Sequence, residues 1–371
     1  MRPRAQRPSV SSRPVGTRIA TSIRNLGLAA LAVAIAPTPI AEQDRGDDPV
    51  PQKAQQSADR ALRWLLRAQN QDGSFGDNPG MPGEIGNTCI AVLALMGAGS
   101  TPTRGPQCRP IQRALTWLDR RARGWGASSE HLDGGTLLQR KLGANIDLYL
   151  LTLLGSQLLG NGVDEHDETT LQKEMTGAVE RIAAAQKPNG EWETSYEPML
   201  TTICAWLALR QAHDAGIAIP AASAEKVVRY LKQDCFEPST GIFHDAKWGR
   251  GVRFVSQSGA LRVLYGMAEG SSPDAQRATQ YLLKMSFDSD VGGHEGGEEF
   301  LAALFATQAL HIERDVNWRA FQPRIVDALV ACQNQDGSWV GHHCITGRVF
   351  CTSCSILALL TPHRLLPMVE R

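Results

Sequence analysis

The chain has 371 residues, of which 42% are hydrophobic, and its 38 lysines and arginines balance 38 aspartates and glutamates. A chain of this size can bury the core of one large domain or two ordinary ones, and its composition excludes a disordered or fibrous protein. The lack of net charge argues against a partner held by charge alone, such as nucleic acid or an anionic membrane surface.

The first 41 residues differ from the rest of the chain. They contain six arginines, no acid, and the apolar run LGLAALAVAIA at 26–36. This pattern is typical of a secretory signal, and we expect cleavage after Ala41, because the run is too short for a settled transmembrane helix. An organelle presequence or an uncleaved anchor are the alternatives. The sequence therefore predicts an exported or periplasmic protein that contacts a membrane only through this segment.

The segment 42–56 is rich in acids and prolines and predicts a solvated linker before a folded domain at 57–371. That domain repeats one unit. The string QNQDGS occurs at 69–74 and again at 333–338, and QKPNGE takes the same place at 186–191. Degenerate copies lie between them, so the sequence predicts six repeats.

Each repeat pairs two kinds of helix. The first has its apolar residues on one face, which predicts a half-exposed helix. The second is apolar on nearly every side, as in CIAVLALM at 89–96 and ICAWLALR at 203–210, which predicts burial all round. We therefore expect an all-α fold with an outer and an inner layer. The first and last repeats carry no polar cap, so the sixth repeat is expected to close onto the first.

The repeated turn has the form Q-x-x-x-G-[S/E]-[F/W], at Gln69–Phe75, Gln186–Trp192 and Gln333–Trp339. It resembles the QW motif of terpenoid cyclases and protein prenyltransferases, the prenyltransferase and squalene oxidase repeat. The resemblance covers the chain from about Ser57 to its end. It implies a single α/α toroid, an α6–α6 barrel of six helical hairpins, with an active cavity at the centre and an isoprenoid or similar apolar substrate.

Cyclases of the squalene-hopene type use an Asp-x-Asp-Asp acid to protonate an alkene, and that string does not occur here. The nearest string, Asp288-Ser289-Asp290, is typical of a solvated turn. Asp147, Glu298 and Glu299 begin inner helices and are the candidate catalytic acids. Stabilisation of the helix dipole is the alternative role for all three.

Protein prenyltransferases bind zinc through an Asp-x-Cys pair, which is also missing. The final loop, HHCITGRVFCTSC at 342–354, nevertheless places zinc-binding residue types close together, with His343, Cys344 and Cys351 as candidate ligands. A disulfide of Cys344 with Cys332 or Cys351 explains the same residues in an exported protein. Buried thiols, including Cys354, and a reactive thiol remain as further alternatives.

Carbocation chemistry requires aromatic rings beside the substrate, because these rings stabilise cations. The candidate substrate-binding residues are Trp125, Tyr196 and Trp248, with Arg348 as a candidate for an anionic group. Solvation of the arginine at the surface is the alternative. Two functions follow as hypotheses: an exported enzyme acting on an isoprenoid in the ring, or a non-catalytic exported binding or scaffold protein that uses the loop face.

Overall fold

The structure is a computed structural model, which describes residues 50–130, 132–161, 165–192, 195–245, 253–285, 298–342, 345–366 and 368. The predicted signal at 1–41 lies outside the described residues. Helix α1 begins at Gln52, so the last five residues of the predicted linker at 42–56 are helical. The helix extends this far because Ala54 is fully buried, one turn before the buried Ala58.

The described helices alternate between two layers, as the sequence predicts. The outer helices are α1 (Gln52–Ala68), α3 (Cys108–Arg121), α6 (Glu165–Ala184), α8 (Ala221–Tyr230), α10 (Pro273–Lys284) and α12 (Val316–Ala331). The inner helices are α2 (Ile85–Gly97), α5 (Ile146–Leu158), α7 (Pro198–Asp214), α9 (Phe254–Gly266), α11 (Glu299–Glu313) and α13 (Arg348–Leu360).

Smaller elements join these layers. A short helix, α4 (Leu137–Leu142), lies between α3 and α5. A π-helical turn at Leu231–Cys235 leads into a two-stranded antiparallel hairpin, β1 (Phe236–Glu237) and β2 (Ile242–Phe243), in which Phe236 pairs with Phe243. A 3₁₀ turn follows α13 at Thr361–His363. None of the helices in the described part of the chain is long and apolar enough to span a bilayer.

The burial of the two layers matches the sequence patterns. Every residue of α2 and of α9 is buried, whereas α3 buries only Ile111, Ala114 and Leu118. The inner helices contact one another in the order α2, α5, α7, α9, α11, α13, and α13 contacts α2 again. The ring is therefore closed, and the fold is the predicted α/α toroid.

The repeated turns connect consecutive outer helices. The Gln69 amide donates to the Pro110 carbonyl of α3, at 2.8 Å, and the Gln186 amide donates to the Ser223 carbonyl of α8, at 3.2 Å. The Gln333 amide donates in the same way to the Ser57 carbonyl of α1, at 3.0 Å. The last turn thus joins the last repeat to the first one by the same glutamine-to-carbonyl hydrogen bond that joins consecutive repeats elsewhere in the ring.

The aromatic residue of each turn is buried between the layers. The Trp339 ring is fully buried, its indole nitrogen donates to the Leu329 carbonyl at 2.8 Å, and its amide donates to the Thr352 hydroxyl at 3.0 Å. Trp192 makes the equivalent bonds to Ile182 and Thr202. These rings hold an outer helix against its inner partner.

Candidate functional site

A cavity lies at the centre of the ring, and all six inner helices contribute to its wall. The space between the atoms amounts to about 640 Å³, part of it open to solvent. The wall is almost entirely apolar. Its residues are Ile90, Leu142, Ile146, Tyr149, Leu150, Leu153, Cys204, Leu207, Ala208, Gln211, Arg262, Leu301, Leu304, Phe305, Gln308, Phe350 and Met368.

Three inner helices present the same spacing to this cavity. The lining positions are i, i+3, i+4 and i+7 on α5, α7 and α11, beginning at Ile146, Cys204 and Leu301. This is one face of an α-helix. The aromatic rings on the wall are Tyr149, Phe305 and Phe350, none of which was among the sequence candidates. Because these helices are apolar all round, their composition alone does not reveal which face points to the centre.

A buried ionic cluster of Lys141, Glu197, Arg253 and Glu298 lies at the N-terminal ends of α7, α9 and α11. The Lys141 ammonium is 2.9 Å from a carboxylate oxygen of Glu197 and 2.9 Å from one of Glu298. The Arg253 guanidinium pairs with the same two acids, at 2.5 Å from Glu298 and in close contact with Glu197. Two cations therefore balance two carboxylates where the cavity wall begins at Leu301.

The electrostatics of this cluster reflect its burial. The Glu298 side chain is fully buried, and this desolvation raises its pKa to about 7 against the opposing charges of Arg253 and Lys141. Burial alone would lower the pKa of Lys141, but Glu298 and Glu197 outweigh it and raise the pKa. Near neutral pH, Glu298 can therefore both hold and release a proton.

Helix α4 crosses the N-terminal end of the cavity. Thr136 and Gln139 form a capping box at its start. Its Lys141 reaches Glu197 on one inner helix and Glu298 on another, while Leu142 lines the cavity. The Leu142 carbonyl also accepts a bond from the Thr201 hydroxyl of α7, at 2.9 Å. The four ionic residues therefore hold α4 over the cavity.

Asp147 is buried at the start of α5 but faces α2. One carboxylate oxygen lies beside Gly86, and the other accepts a bond from the Gln139 amide at 2.8 Å. Burial, together with the nearby charge of Asp133, raises the pKa of Asp147 to about 7. Asp147 is next to the lining residue Ile146 without lining the cavity itself.

Glu299 is the third predicted acid. Its carboxylate accepts a bond from the His342 amide at 3.1 Å and lies 3.0 Å from the His342 ring nitrogen. Glu299 thus connects the start of α11 to the final loop, whereas the adjacent Glu298 belongs to the ionic cluster.

The three predicted substrate-binding residues that the structure describes do not come together. The Tyr196 ring lies 4.6 Å from the Lys141 ammonium, beside the ionic cluster. Trp125 is buried against α6, where its carbonyl accepts a bond from Arg181. Arg348 pairs with Asp336 of the last repeated turn and stacks on Trp64. Trp248 lies outside the described residues.

The predicted zinc ligands are described only in part, because His343 and Cys344 lie outside the described residues. Cys351 is fully buried, its thiol donates to the Ile345 carbonyl at 3.4 Å, and burial raises its pKa well above the usual value. A metal ligand must instead be a thiolate. The seven described cysteines are free thiols, so Cys332 and Cys351 form neither of the considered disulfides. The described residues contain no group of three potential metal ligands.

The prenyltransferase alpha-alpha toroid domain model matches residues 24–135, 144–307 and 299–371. The chain belongs to this family. No curated protein sequence matches the chain.

Solved structures with similar folds include two classes of toroid enzyme. A variant of the type II terpene cyclase MstE from Scytonema, in complex with geranylgeranyl dihydroxybenzoate, is 14% identical; the match covers 85% of this chain and 98% of that one, with a TM-score of 0.54. A variant alpha-1,6-mannanase of Salegentibacter sp., in complex with alpha-1,6-mannotriose, is 10% identical, with 83% and 99% covered and a TM-score of 0.56. At these identities, the similarity establishes the toroid fold alone.

Proposed function

We propose that this member of the toroid family is an enzyme that binds an isoprenoid or similar apolar chain in its central cavity and acts on it by acid catalysis. The observation that carries the proposal is a nearly apolar cavity beneath a buried carboxyl group, Glu298, whose pKa is raised to about 7. Such a wall binds an apolar chain through removal of apolar surface from water.

Glu298 is the acid that we assign to catalysis. It caps the N-terminus of α11, three positions before the lining residue Leu301, and we infer that its carboxyl group acts at this end of the cavity. In the proposed step, the carboxyl proton of Glu298 moves to one carbon of a substrate double bond. The π-electron pair forms the new C–H bond and leaves a carbocation on the other carbon.

The remaining residues of the site stabilise both charges of that step. Arg253 and Lys141 pair with the Glu298 carboxylate once the proton has left. The rings of Tyr149, Phe305 and Phe350 on the wall stabilise the carbocation. Loss of a proton from a neighbouring carbon to the Glu298 carboxylate then forms a new double bond and restores the acid.

The two classes of similar toroid enzyme described above bind different kinds of ligand. The solved terpene cyclases bind geranylgeranyl dihydroxybenzoate and merosterolic acid A, which contain large apolar parts. The solved mannanase binds a sugar chain. An apolar wall offers few hydrogen bonds to sugar hydroxyls, which supports an isoprenoid over a carbohydrate.

The Glu298→Gln variant tests catalysis separately from binding. The wild-type protein is incubated with farnesyl, geranylgeranyl and squalene compounds, and products are identified by mass spectrometry. We expect conversion by the wild type, and unchanged binding with conversion reduced by about 10²-fold or more in the variant, the usual scale for loss of a general acid. Full conversion by the variant would remove Glu298 from the mechanism.

The second candidate is a non-catalytic exported binding protein. It is supported by the equal number of cations and acids in the ionic cluster, which is consistent with a purely structural role in holding α4. In that case the same incubation yields bound ligand that is recovered unchanged. Export itself is tested by N-terminal sequencing of the protein from outside the cell, which should begin at Glu42.

A further inference from the structure

The charges of the outer helices are unevenly distributed around the ring. The neighbouring helices α1 and α3 together carry eight lysines and arginines and only two acids. In α6 the acids outnumber the cations, and α8, α10 and α12 each have one cation in excess. The balance of charge over the whole chain therefore does not hold for the surface of α1 and α3.

Exposed arginines on these two helices form what we call the cationic face. It consists of Arg60, Arg63, Arg67, Arg109, Arg113 and Arg120. On each helix the arginines lie on one side, with spacings of i, i+3 and i+7 on α1 and i, i+4 and i+11 on α3. The turn after α1 connects the two rows, because the Gln69 amide donates to the Pro110 carbonyl of α3 at 2.8 Å.

None of the six arginines forms an ion pair with a residue that the structure describes. Arg60 donates to the neutral side chain of Gln333, and Arg113 donates to that of Gln69. The positive charge of the cationic face is therefore not neutralised within the described part of the chain.

This arrangement suits an anionic partner with many phosphate groups. Like charges one helical turn apart repel each other, and an anionic partner removes that repulsion. Guanidinium groups bind phosphates through paired hydrogen bonds. Helix α1 is about 25 Å long, so several phosphates can lie along the cationic face at once.

The shape of the surface favours a lipid bilayer over nucleic acid. Both rows lie on the outer wall of the ring, where two neighbouring helices can touch a flat surface together. A bilayer is flat and carries phosphates in two dimensions, whereas a duplex is a narrow cylinder with its phosphates in two strands. A bilayer can therefore contact both rows of arginines.

We propose that the cationic face binds the anionic headgroups of a phospholipid bilayer. The sequence predicts membrane contact only through the N-terminal segment, and the cationic face adds a second contact on the folded domain. This interaction goes beyond the proposed function and does not depend on it. It brings the central cavity close to a bilayer, in which apolar chains dissolve.

Vesicle co-sedimentation of the full chain tests the interaction. Vesicles of phosphatidylcholine alone are compared with vesicles that also contain phosphatidylglycerol, at low and at high salt. We expect binding to the anionic vesicles to be about 100-fold tighter, because each cation near an anionic surface contributes roughly fivefold. High salt should remove this preference, since it screens exposed charges.

The triple variant Arg63→Gln, Arg67→Gln, Arg109→Gln removes half of the cationic face. These side chains are exposed and make no hydrogen bond with a described residue, so their loss should not disturb the fold. We expect binding to the anionic vesicles to fall by about 10- to 100-fold. The single variant Arg63→Gln should lose roughly fivefold and serves as the second variant if the triple variant does not fold.

A second triple variant, Lys173→Gln, Lys284→Gln, Arg319→Gln, is the matched control. It removes the same charge from exposed positions on α6, α10 and α12. Its binding to the anionic vesicles should equal that of the wild type.

Two outcomes would contradict the proposal. Equal binding of the wild type to both kinds of vesicle, or equal binding of the two triple variants to the anionic vesicles, would show that the cationic face does not bind lipid. Tighter binding to duplex DNA than to the anionic vesicles would assign the face to nucleic acid instead. None of the six arginines lines the cavity, so conversion of isoprenoids dissolved in detergent tests the proposed function separately.

Discussion

At the residue scale, Asp147 and Glu298 are two buried acids with similar pKa values in different surroundings. Glu298 is beside two cations, whereas Asp147 accepts a bond from a neutral amide and is near Asp133. Ionisation of Glu298 is therefore compensated locally, and ionisation of Asp147 is not. This difference is why we assign proton transfer to Glu298 and expect Asp147 to affect stability.

The stability of the protein should depend on pH through Asp147. Its folded pKa of about 7 exceeds the ordinary 3.8, so the folded state binds more protons between these values and stability falls as pH rises through them. The Asp147→Asn variant lacks this penalty. Relative to the wild type, we expect it to gain on the order of 3 kcal/mol more at pH 8 than at pH 4.5.

Urea unfolding of both proteins at the two pH values measures this difference. A stability difference that stays the same at pH 4.5 and pH 8 would show that Asp147 ionises normally in the folded state. Asn introduces one amide group into a buried site, and this cost is present at both pH values, so it cancels in the comparison.

Sequence reasoning found both buried acids, because an acid at the start of an apolar helix stands out against its neighbours. It did not find Lys141, which lies on the short helix α4, or Glu197, which directly precedes α7. Their side chains meet only because the ring brings several inner-helix starts to one end of the cavity. The proximity of these residues therefore depends on the fold and cannot be read from the local sequence.

At the element scale, α4 has little stability of its own. Its six residues are too few for a stable isolated helix, so its position depends on the contacts that it makes. Lys141 supplies two of them and is the one residue of α4 that joins the ionic cluster. α4 is the part of the connection between the outer helix α3 and the inner helix α5 that contacts a second inner helix, α7.

The Lys141→Met variant should release α4. It leaves two buried carboxylates with one cation, and removal of one partner from a buried ion pair costs about 3 kcal/mol or more. Lys232→Met is the control: Lys232 pairs with Glu269 near the surface, and its loss should cost less than about 1 kcal/mol. Urea unfolding measures both costs.

Limited proteolysis locates the change that Lys141→Met causes. We expect faster cleavage within 126–145 in this variant than in Lys232→Met. Equal cleavage rates and equal stabilities in the two variants would mean that the ionic cluster does not hold α4.

At the scale of the whole molecule, the toroid was predictable because its evidence is repeated six times along the chain. The amino-acid sequence itself shows the alternation of half-exposed and buried helices, and it shows the glutamines and tryptophans of the turns. The faces of α5, α7 and α11 that form the cavity could not be predicted, since a helix that is apolar all round does not show which of its sides points to the centre. The cavity wall thus needed the structure.

Closure of the ring can be tested at Gly337. This residue has φ +97°, and a Cβ added there would lie 2.6 Å from the Arg60 carbonyl oxygen of α1. Gly337→Ala should therefore separate α1 from the last repeat. Gly80→Ala is the control, because Gly80 has φ +79° with no atom within 4 Å and should cost only about 1–2 kcal/mol for its backbone conformation.

Hydrogen exchange reports the closure directly. We expect Gly337→Ala to reduce protection in both α1 and α12, which are far apart in sequence, while Gly80→Ala leaves both unchanged. Loss of protection in α12 alone would indicate that the first repeat does not depend on the last.

The bond from Gln333 to Ser57 has the same form as those between neighbouring repeats. In this respect the junction between the last and the first repeat does not differ from the other junctions. The His363 ring nitrogen also lies 3.0 Å from the Gln55 side-chain oxygen of α1. Residue 50 could thus be linked to the chain after Met368, which lines the cavity, and the backbone opened at the turn of Gly216, where nothing crowds the chain. Such a circular permutant should keep the same cavity, although its helices are synthesised in a different order.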